Sequence, residues 1–300
     1  KMPTETAHDT LVIGQSVDPK TLDPFETTVP YINVFAQICE PLIFWDTDEN
    51  GNAIIRKWLA TDYKWLDDVT LQFKLREGVR FHNGEPFDAG TVKFSVERYL
   101  DPATGFPAMF FIDSIRGAEI VDAHTVDLVT KYPDAILLNR LAGLVLMVPP
   151  GYIKEKGDEH FSRQPVGTGP YRLLHWDTGK EIALVRNDDY WGEKPRLKRI
   201  VFKVITDSTV ALQVLKKGGL DLMSLRPIQW VKQTGSERFQ RQFKKLKYYL
   251  PSYSYIGWNM RRPLFSDERV RRAMTMLLNR EAILKELLFN LGIIVTGSFY

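Results

Sequence analysis

Cysteine is nearly absent from this chain of 300 residues, where Cys39 stands alone in the apolar stretch VFAQICEPLIF. One thiol excludes an intrachain disulfide and any zinc or iron–sulfur site built from several thiolates. Its apolar setting marks it as a buried structural residue. Long hydrophobic runs are lacking too. The stretch 135–150 is broken by Asn139, Arg140 and paired prolines, and it falls short of the ~20 residues that a spanning helix requires. The N-terminal KMPTETAHDT lacks the basic-then-apolar build of a signal peptide, so the chain is either cytoplasmic or exported and already trimmed. Net charge is small: 40 basic against 37 acidic side chains give +3, with both signs scattered. That balance calls for neither nucleic acid nor an anionic membrane as partner.

Catalytic signatures are also missing. There is no G-x-S-x-G and no S-x-x-K. The five histidines, His8, His82, His124, His160 and His175, lie too far apart in sequence for a local metal cluster. His82, beside the Asn83-Gly84 turn, reads as a loop residue rather than a general base. Asp67-Asp68 and Asp188-Asp189 read as turns, because neighbours on a strand point to opposite faces. The glycines of PVGTGPY, residues 165–171, suggest a phosphate cradle, but Gly167-Thr168-Gly169 runs into Pro170 and an alternating strand. A phosphate loop needs its glycines to feed a helix N-terminus.

What the sequence does hold is a core: 44% of residues are hydrophobic and 12% aromatic, enough for more than one lobe. TLVIGQ from Thr10 predicts a short strand, and Tyr31–Cys39 a helix entered at Pro30. Alternation predicts hairpins turning at Asp67-Asp68, at Asp122–His124 and at Asp177–Lys180, and RIVFKVI adds a strand. Asp88 is placed to cap a helix with the stripe Val92, Val96 and Tyr99. Ser208 is placed to cap another, with Ala211, Val214 and Leu215 on one face and Gly218-Gly219 at its end. A third follows Ser266, its apolar face formed by Val270, Ala273, Met274 and Leu277. In SERFQRQFKKLKYYLPSY, Phe239, Phe243 and Leu246 fall at helical spacing, so the charges form a solvated face rather than a single-strand nucleic-acid site. Strands interleaved with helices indicate a mixed α/β fold. Residues 253–260, YSYIGWNM, alternate so that Tyr253, Tyr255, Gly257 and Asn259 would share a strand face suited to a cleft.

Taken in order, DPKTLDP, CEPLI, LQFKLREGVRFHNGEPFDAGTVKFSVER, PVGTGPYRLLHW, NDDYWGEKPRLKRIVFKVI, ALQVLKKGGLDL and YSYIGWNMRRPLFSDERVRRAMTMLLNRE resemble the solute-binding proteins of peptide-type ABC transporters. The resemblance to this extracytoplasmic family 5, with its oligopeptide-, dipeptide- and nickel-binding members, runs from about Leu11 to the end. It implies a periplasmic-binding-protein lobe of class II type with an extra β-rich subdomain. Residues 1–45 and 165–255 would form the main part of the first lobe and 46–164 the inserted subdomain. Residues 256–300 would form the hinge and the start of a second lobe that is mostly absent, making the chain the N-terminal part of a longer protein. The resemblance implies a monomer, not an enzyme, without a cofactor or metal, periplasmic or lipid-anchored outside the cytoplasm. Its partners would be a peptide or other small solute and the permease subunits of an ABC importer, with no nucleic acid. A metal chelate, sugar or opine is the alternative solute, and a peptide hydrolase is the alternative outside the class. Carried over by position, Thr27, Thr28 and Val29 would line the cleft, Tyr253, Tyr255 and Asn259 would contact ligand on the strand toward the second lobe, and Arg261, followed by Arg262 at the hinge, would meet a ligand carboxylate or serve in a surface salt bridge. PVGTGPY would be the crossing where the chain returns from the subdomain to the main lobe.

Overall fold

The computed structural model describes residues 9–25, 32–248 and 253–295. They fall into two compact units: Lys1–Asp207 with Gly218–Leu222, and Ser208–Lys217 with Met223–Tyr300.

The first unit is built on three sheets. In the five-stranded sheet, β1 (Thr10–Gln15) runs parallel to β10 (Arg199–Val204). Strand β10 pairs antiparallel with β9 (Glu181–Arg186), and β9 with β8 (Tyr171–Asp177). The short β11 (Leu222–Met223) takes the edge beside β1. Strands β2 (Ile43–Thr47) and β3 (Ala53–Lys57) form a separate ribbon. The four-stranded sheet has the order β4-β5-β7-β6, from β4 (Ala60–Trp65), β5 (Thr70–Leu75), β7 (Thr125–Thr130) and β6 (Ile115–Asp122). The three predicted hairpins are β4–β5, β6–β7 and β8–β9.

Each large sheet has its own core. On β5 the period of two sends Leu71, Phe73 and Leu75 inward, where they join Val126 and Leu128 of β7. The helix Ala89–Leu100 closes this core with Val92, Val96 and Tyr99; Asp88 accepts from the backbone N–H of Thr91 at 2.9 Å and fixes its start. On the five-stranded sheet, Ile182 and Leu184 face the same way and stand opposite Phe202 and Ile200, and Val34, Ile38 and Cys39 cover them.

The helix expected over Tyr31–Cys39 is shorter, Ile32–Phe35. Continued, it would direct the Gln37 carbonyl at Pro41, which has no N–H to give. Instead the carbonyls of Gln37 and Ile38 accept from Tyr171 and Gly169, at 3.0 and 2.8 Å.

The second unit is helix and loop. Its helix Ser208–Lys216 buries Ala211, Leu212 and Leu215, so Leu212 takes the place expected for Val214, and Gly218 ends the turn with a φ of 78°. Gln229 is buried there: its amide donates to the Ser208 carbonyl at 2.7 Å and accepts from the Arg226 N–H at 3.0 Å. The helix Glu237–Gln242 is capped by Ser236 and buries Phe239, while Leu246 is exposed. The helix after Ser266 spans Glu268–Met276 under an Asp267 cap. Val270 on its apolar face is half-buried, but Met274 and Leu277 are exposed.

Candidate functional site

The crossing 165–171 packs against residues 37–40 within the first unit. Gly167 and Gly169 pass so close to the chain at 37–39 that an added Cβ would lie 1.9 Å from the Ile38 carbonyl oxygen at the first and 2.4 Å from that of Gln37 at the second. Glycine is required here for backbone contact, and the stretch runs on into strand β8 rather than into a helix. Asn187 strengthens the same contact, its backbone N–H donating to the Pro170 carbonyl at 2.8 Å.

Between the two glycines, Thr168 is fully buried and donates to the Glu40 carboxylate at 2.8 Å. Glu40, itself 2% exposed, accepts three more bonds: from Tyr190 Oη at 2.6 Å, Trp58 Nε1 at 2.7 Å and Trp191 Nε1 at 2.9 Å. Burial pushes its pKa up, and the bonds from Tyr190, Trp191, Trp58 and Thr168 oppose that push. Arg76 stacks over Trp191 at 4.6 Å. A carboxylate offers about four lone-pair sites, so four donors leave it none with which to abstract a proton. Glu40 is a tie, not a base.

Asp18 of the DPKTLDP motif ties the β8–β9 hairpin, accepting from Trp176 Nε1 at 3.1 Å and from the Gly179 N–H at 2.6 Å. Asp23 of the same motif is fully buried and takes both forks of Arg98, at 3.1 and 2.6 Å, while also accepting from the Phe25 N–H at 3.0 Å. Arg98 lies 4.1 Å from the Phe25 ring centroid, and Phe25 stacks on Tyr99 at 3.7 Å. The chain is thus anchored just ahead of the segment expected to line a cleft. Cys39 is buried, and burial, with Asp23 and Glu40 nearby, pushes its thiol pKa up. That is the setting of an inert thiol.

Of the residues expected to meet ligand, Thr27, Thr28 and Val29 lie outside the described residues. Tyr253, Tyr255, Asn259 and Arg261 belong to the second unit. Tyr253 and Tyr255 come together, their ring centroids 5.8 Å apart, and Tyr255 is 77% exposed. Residues 253–259 run without strand pairing, and neither alternate set is buried. Asn259 accepts from the Arg261 N–H at 3.1 Å, which makes it a turn residue, and Arg261 is exposed. Among the described residues no group of three or more His, Cys, Asp or Glu could hold a metal ion, and no helix is long and apolar enough to cross a membrane.

Sequence reasoning passed over Glu40. The signal was a lone carboxylate inside ICEPLIF, since a charge in an apolar run must find partners in the fold.

Residues 55–299 match the bacterial extracellular solute-binding proteins, family 5. The chain belongs to this family. It is 31% identical over 296 residues to Protein XP55 of Streptomyces lividans, covering 96% of this chain and 52% of that protein. It is 29% identical over 252 residues to the oligopeptide-binding protein AppA of Bacillus subtilis, covering 81% and 45%. The solved structure of AppA in complex with a nonapeptide superposes with a TM-score of 0.84 at 26% identity, over 95% of this chain and 57% of AppA. The binding protein MoaA from A. tumefaciens R10, in complex with mannopinic acid, gives a TM-score of 0.78 at 25% identity over 94% and 57%. The mixed α/β architecture is therefore that of family 5, whose members are ligand-binding components of transport and not enzymes. The chain spans about half the length of the curated relatives it matches.

Proposed function

We propose that the protein carrying these residues captures peptides outside the cytoplasm and delivers them to the permease of an ABC importer. The observation that carries this reading is family membership together with the likeness to AppA, an oligopeptide-binding protein solved with a nonapeptide. Capture is by closure of two lobes: a ligand that touches both lobes only when they are closed shifts the population toward the closed state. Residues 1–45 and 165–255 are assigned to the first lobe, 46–164 to an inserted subdomain, and 256–300 to the hinge and the start of the second lobe. Within that assignment the saturated Glu40 and the Arg98–Asp23 pair make the first lobe a rigid jaw.

Peptide contact is assigned to Thr27, Thr28, Val29, Tyr253, Tyr255 and Asn259, with Arg261 beside a ligand carboxylate. The exposed ring pair Tyr253–Tyr255 supports the aromatic part of this assignment. The protein works as a monomer and takes no nucleic acid, in keeping with its scattered charge of +3. The likeness to MoaA favours a second reading, in which the same trap takes an opine-type solute.

Calorimetric titration of the full-length gene product with a set of short peptides tests the assignment. Binding without cleavage is expected, with Tyr255→Ala weakening it by about tenfold, or about 1.4 kcal/mol. Cleavage products would turn the reading toward a hydrolase, and unchanged affinity in Tyr255→Ala would remove that residue from the site.

A further inference from the structure

His82 meets the crossing at both glycines that flank Thr168. Its Nδ1 lies 3.3 Å from the Gly167 backbone nitrogen, its Nε2 lies 2.9 Å from the Gly169 carbonyl oxygen, and its own backbone N–H donates to the Gly167 carbonyl at 2.9 Å. The partners dictate the tautomer. A backbone N–H can only donate, so Nδ1 must accept; a carbonyl can only accept, so Nε2 must carry the proton. The ring is partly exposed, which leaves solvent protons a path to it.

We propose that His82 is a proton-operated latch: neutral, it holds the Gly167–Gly169 crossing against the loop between β5 and the helix Ala89–Leu100, and protonated it loosens that hold. Protonation turns Nδ1 into a donor facing the Gly167 N–H, so an attractive contact becomes a repulsive one. Arg172 on β8 opposes a positive imidazolium, and Glu40 is engaged with Thr168, which lies between the two glycines that His82 contacts. Burial depresses the His82 pKa from 6.5 to about 4, with the Gly169 carbonyl pulling upward and Arg172 downward. Because the folded value lies below the unfolded one, the latch contributes fully above pH 6.5 and its contribution is lost as pH falls toward about 4.

The device does not depend on which solute the protein carries, and its test reads the latch alone. Deuterium exchange at the imidazole C2 carbon, followed by mass spectrometry, titrates His82 in the wild-type protein without any substitution. In parallel, amide exchange over residues 160–172 is compared between wild type and His82→Asn, whose Oδ1 can accept from Gly167 but cannot titrate. The expected result is a His82 midpoint well below 6.5, and crossing amides that lose about tenfold more protection than in the variant between pH 6 and pH 4. A midpoint near 6.5, or the same pH profile in both proteins, would overturn the latch.

Discussion

Trp191 donates its indole N–H to the Glu40 carboxylate at 2.9 Å across 151 residues of sequence. Glu40 lies ahead of β2 and Trp191 behind β9, so the bond joins the chain before it leaves for the four-stranded sheet to the chain after it has returned. Trp58 and Thr168 complete the knot from the outgoing and returning limbs.

Replacing Glu40 by Gln keeps the shape but exchanges an acceptor oxygen for an NH2 group that faces donors. Leaving a buried donor unsatisfied costs about 1–3 kcal/mol. Urea unfolding of Glu40→Gln is therefore expected to show a loss of at least about 2 kcal/mol, with the emission of Trp58 and Trp191 shifted to the red. A loss under about 0.5 kcal/mol, the size of an ordinary surface substitution, would show that the knot is dispensable.

Gly167→Ala places a methyl carbon where the Ile38 carbonyl oxygen already sits, 1.9 Å away. The crossing must shift and its bonds to residues 37 and 38 must break. A loss of about 3 kcal/mol or more is expected, or failure to fold. Gly117→Ala serves as the control, because a Cβ there meets nothing within 4 Å. It should change stability by no more than about 0.5 kcal/mol in the same denaturation series.

Arg98→Met leaves the fully buried Asp23 without its counter-charge. Breaking a buried pair from one side costs about 3–5 kcal/mol, whereas replacing both partners costs far less. The double variant Arg98→Met with Asp23→Leu should recover at least about 1 kcal/mol of the single variant's loss, read as a double-mutant cycle. Additive effects would mean that the pair is not coupled.

Cys39 should be unreactive toward an aromatic disulfide reagent at neutral pH until the protein unfolds. Burial and the raised thiol pKa both withhold the thiolate. Complete labelling of native protein within seconds would contradict the packing of Cys39 beneath the five-stranded sheet.

The parts of this fold legible in sequence are those whose causes are local. Asp67-Asp68, Asp122–His124 and Asp177–Lys180 carry their turn chemistry with them, and Asp88 stands next to the helix that it caps. The family, too, was legible, from an ordered set of stretches rather than from any one of them. Gly167 was not, because its reason is the carbonyl of Ile38, a residue remote in sequence. Glu40 was missed for the same cause. The alternation in 253–260 was read as a strand, but alternation only makes a strand possible; a ladder partner makes it real, and residues 253–259 have no strand pairing. Asn259 shows the consequence, its side chain turned to the Arg261 N–H in a local turn.

The central claim is that this chain belongs to a trap for peptides. Mass spectrometry of small molecules released by denaturing the gently purified full-length gene product tests it most directly. A ladder of mixed short peptides is the result predicted; a single non-peptide compound, such as an opine, would contradict the substrate.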